Sequence, residues 1–153
     1  VSAAVGRNDV FECLGYGEAS DTWSANPLSS AAVLATLDEF ESTDALEKGA
    51  HLATIIEAGL IRLKETGAIS RVRGEGCVWG IECADVGDRE GAVIANQIIE
   101  KCYRADGAAL AIHLLGALAG KVLRISPPLT MCPQECQAYL DRLYDVCQQV
   151  ANT

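Results

Sequence analysis

The sequence predicts an α+β architecture, a small and mainly antiparallel sheet with helices packed against it. Three observations carry this. Between Asp44 and Thr66, apolar side chains recur at threes and fours, the period of one buried helix face. In Cys77-Val78-Trp79-Gly80-Ile81-Glu82-Cys83 the odd positions are large and apolar, the period of a strand with one buried face. From about residue 42 the order then reads helix, two strands, helix, two strands, helix, which is an α+β order. Residues 1–41 have a different character, so the expected division is 1–41 and 42–153.

The opening Val1-Ser2-Ala3-Ala4-Val5-Gly6-Arg7 reads as a short buried strand. Residues 8–25 are loop-rich, with Gly15 and Gly17 around Tyr16. Asn26-Pro27 starts a helix, because Asn is a favoured N-cap and Pro is pre-organised for the first helical position. That helix reaches about Glu41 and is apolar on most of its surface, so it should be sandwiched between other elements. A second helix begins near Asp44, buries Leu46, Ala50, Ala53, Ile56, Leu60 and Leu63, and ends at Gly67. Ile69–Arg73 is the hairpin partner of the alternating strand, joined across Gly74-Glu75-Gly76. A third helix runs from Asp88 or Arg89 to Arg104, with Ala92, Ala95, Ile98 or Ile99, and Cys102 inward. Ala109–Leu114 and Lys121–Ser126 read as two more strands, joined over Gly116 and Gly120. Pro127-Pro128 stops the second, and Pro133 starts a last helix to about Val150.

Composition narrows the function. The chain has 153 residues, half of them hydrophobic, which is enough for one core. Its net charge is −9, so nucleic acid and anionic membranes are not expected partners. The longest apolar run, Ala108–Leu118, is too short to span a bilayer and contains His113 and Gly116. The first residues carry no basic segment and no Met, so no signal peptide is expected and the chain reads as part of a longer protein. The seven cysteines form no Cys-x-x-Cys pair, so we expect reduced thiols in the cytoplasm and no metal site. Cys136 and Cys147 share a helical stripe with Leu140 and Leu143 and should be small core residues.

Two side chains could carry chemistry. Thr22 offers a hydroxyl in a loop just ahead of a helix N-terminus, a setting suited to anions; such hydroxyls more often satisfy backbone groups. Arg124, in Val122-Leu123-Arg124-Ile125-Ser126, shares a strand face with Val122 and Ser126. A guanidinium fixed on a strand can grip a carboxylate through two parallel hydrogen bonds, although a structural ion pair is the commoner use. Arg73 ranks lower, as a surface ion-pair partner; Trp79 and His113 read as core residues.

The same stretches resemble a known family. Thr22-Trp23-Ser24-Ala25-Asn26-Pro27-Leu28 is similar to the T-F-[SG]-G-N-P-L loop of class III aminotransferases, the pyridoxal-phosphate enzymes of the ornithine, acetylornithine and 4-aminobutyrate type. Val72-Arg73-Gly74-Glu75-Gly76-Cys77-Val78-Trp79-Gly80-Ile81-Glu82 resembles their VRGxGLMxGIE hairpin, and Val122–Thr130 resembles their VLRxxPPLT strand. The departures are Trp23 for Phe or Tyr, Ala25 for Gly, and Cys132 where Ser or Thr is common. The resemblance implies the C-terminal small domain of a fold-type I enzyme, with residues 1–41 as the tail of the large cofactor-binding domain and its linking helix. It implies pyridoxal phosphate as cofactor, an amino donor and a keto-acid acceptor as substrates, and a homodimer. Thr22 would contact the cofactor phosphate across the dimer, and Arg124 would bind a substrate carboxylate. The lysine that such enzymes link to the cofactor would fall just ahead of Val1. No catalytic residue is therefore expected in this chain, and the fragment alone should be inactive. Related reactions on the same scaffold (aminomutase, racemase, decarboxylase) and a non-catalytic oligomerisation or binding module are the alternatives.

Overall fold

A computed structural model of the chain describes residues 4–107, 110–116 and 119–153. The chain divides into two compact units, one ending at Asp44 and one beginning at Ala45.

The first unit contains α1 (Asn8–Phe11) and α2 (Pro27–Ser42). Residues 4–7 form no strand, contrary to expectation, and residues 1–3 lie outside the described set. A strand needs a partner to take up its backbone groups, and this unit holds no other strand among its described residues. Instead Arg7 turns the chain into α1, where the Val10 and Phe11 amides donate to the Arg7 carbonyl. The start of α2 follows the sequence reading: Pro27 is its first residue, and the Asn26 side chain accepts from the Ser29 amide at 2.9 Å. No residue of α2 is buried, so the expected sandwich does not form within this unit.

The second unit contains α3 (Ala45–Arg62), β1 (Ile69–Glu75), β2 (Val78–Cys83), α4 (Gly91–Arg104), β3 (Val122–Ile125) and α5 (Pro133–Ala151). Its sheet has the order β1-β2-β3, antiparallel throughout. The helices cover one face, as the α+β reading requires. Ile81, Cys83 and Leu123 are fully buried there in one core with Ile56 and Leu60 of α3, Ile98 and Cys102 of α4, and Leu143 and Cys147 of α5. Each Ile or Leu buried this way contributes about 2 kcal/mol. A 3₁₀ turn, Leu63–Thr66, finishes α3, and Gly67 closes it at φ +78°. The indole of Trp79 lies over Gly74 and donates to the Gly76 carbonyl at 2.8 Å. That explains the Gly-x-Gly hairpin: a Cβ on Gly74 would sit 2.6 Å from the Trp79 Cα.

One predicted strand is absent. Residues 110–114 are irregular, and Ala109 lies outside the described residues. The Ile112 amide donates to the Cys102 carbonyl at 2.9 Å, so this segment is tied to the end of α4 rather than to β3. Leu114 is buried, while His113 is exposed and stands edge-on to the Tyr103 ring at 5.8 Å. His113 is therefore not the core histidine that the sequence suggests.

Side chains lock α5 in place. Arg89 donates to Gln97 at 2.8 Å and to the Val150 carbonyl at 2.9 Å, which caps the end of α5. Arg62 pairs with Asp141 and lies 4.7 Å from the centre of the Tyr144 ring. The Arg62 hydrogen bond holds the Asp141 carboxyl below its ordinary range. The other end of α5 is poorly capped. Cys132 occupies the N-cap position, and its thiol bonds Gln134 rather than a helix amide. A serine there accepts from the first-turn amides, so Cys132→Ser should raise stability by about 1 kcal/mol, read as a higher urea midpoint at constant slope.

Candidate functional site

Thr22 sits in a loop braced on both sides. The Asp21 carboxylate accepts from the Trp23 and Ser24 amides, each at 2.8 Å, and from the Ser24 hydroxyl. Those bonds, the hydroxyl first, hold the Asp21 pKa below its ordinary value. The Asn26 amide donates to the Trp23 carbonyl and to the Ser29 hydroxyl, both at 2.9 Å. Between them Ala25 adopts φ +53°, where glycine is favoured. Holding an alanine there costs about 1 kcal/mol, which the flanking hydrogen bonds offset. The Thr22 hydroxyl itself makes no hydrogen bond among the described residues. These hydrogen bonds brace the loop, and Thr22 is exposed. A helix N-terminus follows immediately, a setting suited to an anion.

Arg124 lies in the second unit, on β3. Its register partner is Gly80 of β2. Leu123, on the opposite face, is fully buried, so the sheet points Arg124 away from the core. The side chain is exposed and has no ion pair or hydrogen bond among the described residues. It borders an open cavity of about 590 Å³. The walls are chiefly apolar, with Ile112, Leu114, Ile125, Pro127, Tyr139 and Leu140 among them. An uncommitted guanidinium at the edge of an apolar hollow suits a small ligand with one carboxylate and a hydrocarbon body.

Arg73 departs from its expected role. It forms no ion pair among the described residues. Its register partner is also Gly80, so Arg73, Gly80 and Arg124 form one row across the sheet. Periodicity within one strand could not show this, because the row exists only once three strands are in register. The core cysteines behave as expected of small apolar residues. Burial pushes the Cys83 thiol up to about 12 and that of Cys102 up to about 11. Such thiols stay protonated and unreactive at neutral pH. Lys121 is held by Glu82 at 3.1 Å, and that hydrogen bond raises its pKa, the opposite of what a nucleophilic amine needs.

The Aminotransferase class-III family model matches residues 1–147. The leucine/methionine racemase of Thermococcus litoralis is 34% identical over 145 residues, covering 94% of this chain and 32% of that protein. The 4-aminobutyrate aminotransferase of Mycobacterium leprae is 27% identical, covering 94% of this chain and 32% of that protein. Among solved structures, the ornithine aminotransferase of Toxoplasma gondii superposes with a TM-score of 0.72 at 23% identity, over 96% of this chain and 33% of that one. Pyridoxal phosphate partly occupies the active site of that enzyme. The chain thus spans about a third of the length of the relatives it matches.

Proposed function

The chain belongs to the class-III aminotransferase family, and on that premise we propose that it is the C-terminal part of a pyridoxal-phosphate enzyme. The reaction moves an amino group from an amino acid or ω-amine to a keto acid or aldehyde. Residues 42–153 are the small domain; residues 1–41 are the tail of the cofactor-binding domain with its linking helix. Arg124 carries the reading: it is a strand-mounted guanidinium with no partner among the described residues, beside an apolar cavity.

When bound, pyridoxal phosphate supplies an electron sink for the carbanion left as an amino acid loses its α-proton. This chain holds and orients. The Thr22 hydroxyl donates to a cofactor phosphate oxygen, serving the partner subunit of a homodimer. The fit rests on a hydrogen-bonded loop whose Thr22 hydroxyl has no competing partner among the described residues. Arg124 donates two parallel hydrogen bonds to a substrate carboxylate, which fixes the direction of the amino end. Seven free thiols favour a reducing compartment, hence the cytoplasm.

The similarity to a racemase supports a second reading on the same scaffold. The full-length gene product separates the two. Supplied with pyridoxal phosphate, an amino acid and a keto acid, an aminotransferase forms the amino acid that corresponds to the acceptor. A racemase instead inverts the donor and exchanges its α-hydrogen with solvent deuterium without transfer. Neither outcome in the loaded protein would overturn both. Thr22→Val should weaken cofactor binding by roughly tenfold or more, the loss of one hydrogen bond to a charged group. Fluorescence titration with the cofactor checks this, and an unchanged affinity would remove Thr22 from the phosphate site.

A further inference from the structure

We propose that the cavity beside Arg124 holds an uncharged hydrocarbon tail, so that the amino or keto acid handled here carries one carboxylate and an apolar side chain of several carbons. This rests on the proposed carboxylate-binding role of Arg124 and adds what lies behind the carboxylate. The cavity encloses about 590 Å³, within the range of small-ligand pockets. Its depth follows from burial. Ile56 of α3 and Cys136, Leu140 and Leu143 of α5 line it and are buried. Ala111, His113 and Leu115 line it and are exposed. The first group forms the floor and the second the mouth. Arg124 is exposed and stands at the mouth as well.

Charge is the second observation. Among the described residues around the cavity, Arg124 is the only Lys, Arg, Asp or Glu. Nothing on the floor can pair a second charge. Cys136 is the one ionisable group there, and burial pushes its thiol pKa up, so it stays a neutral, soft contact. Backbone donors are scarce too. Pro127 and Pro128 form part of the wall and have no amide hydrogen. The Ile112 amide is already taken by the Cys102 carbonyl. A charged tail end would lose its hydration in such a space and find no partner. A methylene chain gains from leaving water there. One cation at the mouth and an apolar floor therefore match a monocarboxylate with a hydrocarbon tail better than a diacid or an ω-amino acid.

Met131 is the only methionine in the chain and lies on the cavity wall, so its methyl resonance reports occupancy. The test is titration of the chain, labelled at the methionine methyl, with butyrate, hexanoate and 6-aminohexanoate. Hexanoate should shift that resonance and bind roughly tenfold more tightly than butyrate, the gain from two further buried methylenes. The third acid has the carbon chain of hexanoate with an ammonium at its end, and should bind no better than butyrate. Ala111→Phe puts a ring at the mouth and should abolish the gain from butyrate to hexanoate. Met131→Glu, followed by calorimetry, should reverse the order of hexanoate and 6-aminohexanoate, a gain that an unfolded variant cannot show. Hexanoate binding no tighter than either other acid overturns the proposal. So does a chain-length gain that survives Ala111→Phe, a Met131 methyl that hexanoate leaves unmoved, the wild-type order in a folded Met131→Glu chain, or a wild-type chain that binds none of the three. Arg124→Gln separates this proposal from the reading beneath it: it should weaken butyrate and hexanoate alike and leave their ratio intact. If it weakens neither while the ratio stands, the carboxylate role of Arg124 falls alone and the tail cavity remains.

Discussion

Replacing Gly74 by valine should destabilise the second unit by about 3 kcal/mol or more. A Cβ at this position would lie 2.6 Å from the Trp79 Cα and 2.8 Å from its Cδ2, and a Cγ has nowhere to go beneath the indole. The nearest atoms are backbone, the Val78 carbonyl oxygen and the Trp79 Cα, so relief requires the β1–β2 hairpin to splay apart and carry Trp79 away. That would break its bond to the Gly76 carbonyl and expose a ring that is now 92% hidden, its relative exposure being 8%. The loss corresponds to a fall of roughly 15 °C in Tm for a unit of this size. Chemical denaturation followed by Trp79 fluorescence reads it directly, with Trp23→Phe as background because the exposed Trp23 would dilute the signal. Gly116→Ala is the matched control: a Cβ there meets nothing within 4 Å and the backbone is not at positive φ. It should be neutral or slightly stabilising. A Gly74 variant that unfolds within 0.5 kcal/mol of the control, roughly the scatter of surface substitutions, would refute the close packing of indole on backbone.

What the sequence made legible was local. Asn26-Pro27 announced α2, Gly67 closed the end of α3, and the alternation from Cys77 to Cys83 named the buried face of β2 correctly. Each signal acts within a few residues. The failures share the opposite property. Residues 110–114 have the apolar content of a strand, but a strand is defined by what pairs with it, and the segment bonds the end of α4 instead. Residues 4–7 fail for the same reason. Arg73 forms no ion pair among the described residues, and its row with Arg124 joins positions about fifty residues apart in the chain, which no local pattern encodes. Thr22 and Arg124 were legible as residue types in suggestive settings. Their lack of partners among the described residues, which bears on whether they serve a ligand, was not.

In the proposed full-length enzyme, Arg124→Gln should lower kcat/KM for a carboxylate-bearing substrate by roughly 30- to 150-fold, the value of 2–3 kcal/mol for charge-assisted bonds to an anion. Stability should hardly change, because Arg124 is exposed and has no internal partner among the described residues to strand. Arg124→Lys keeps the charge but loses the parallel pair of donors, so it should fall between wild type and Gln, about tenfold down. The effect should divide by substrate. A carboxylate-bearing amino acid meets both arms of the guanidinium and suffers the full loss. An amine of similar size with no carboxylate has nothing for Arg124 to hold, and its kcat/KM should be unchanged or improved, since an unpaired cation no longer borders the apolar walls of Ile112, Leu114 and Tyr139. Steady-state kinetics on a matched pair, an amino acid and its decarboxylated amine, reads the difference in one experiment. An equal loss for both substrates would mean that Arg124 shapes the sheet rather than binds the ligand. A loss confined to the amino acid would identify the guanidinium as the group that tells the two apart.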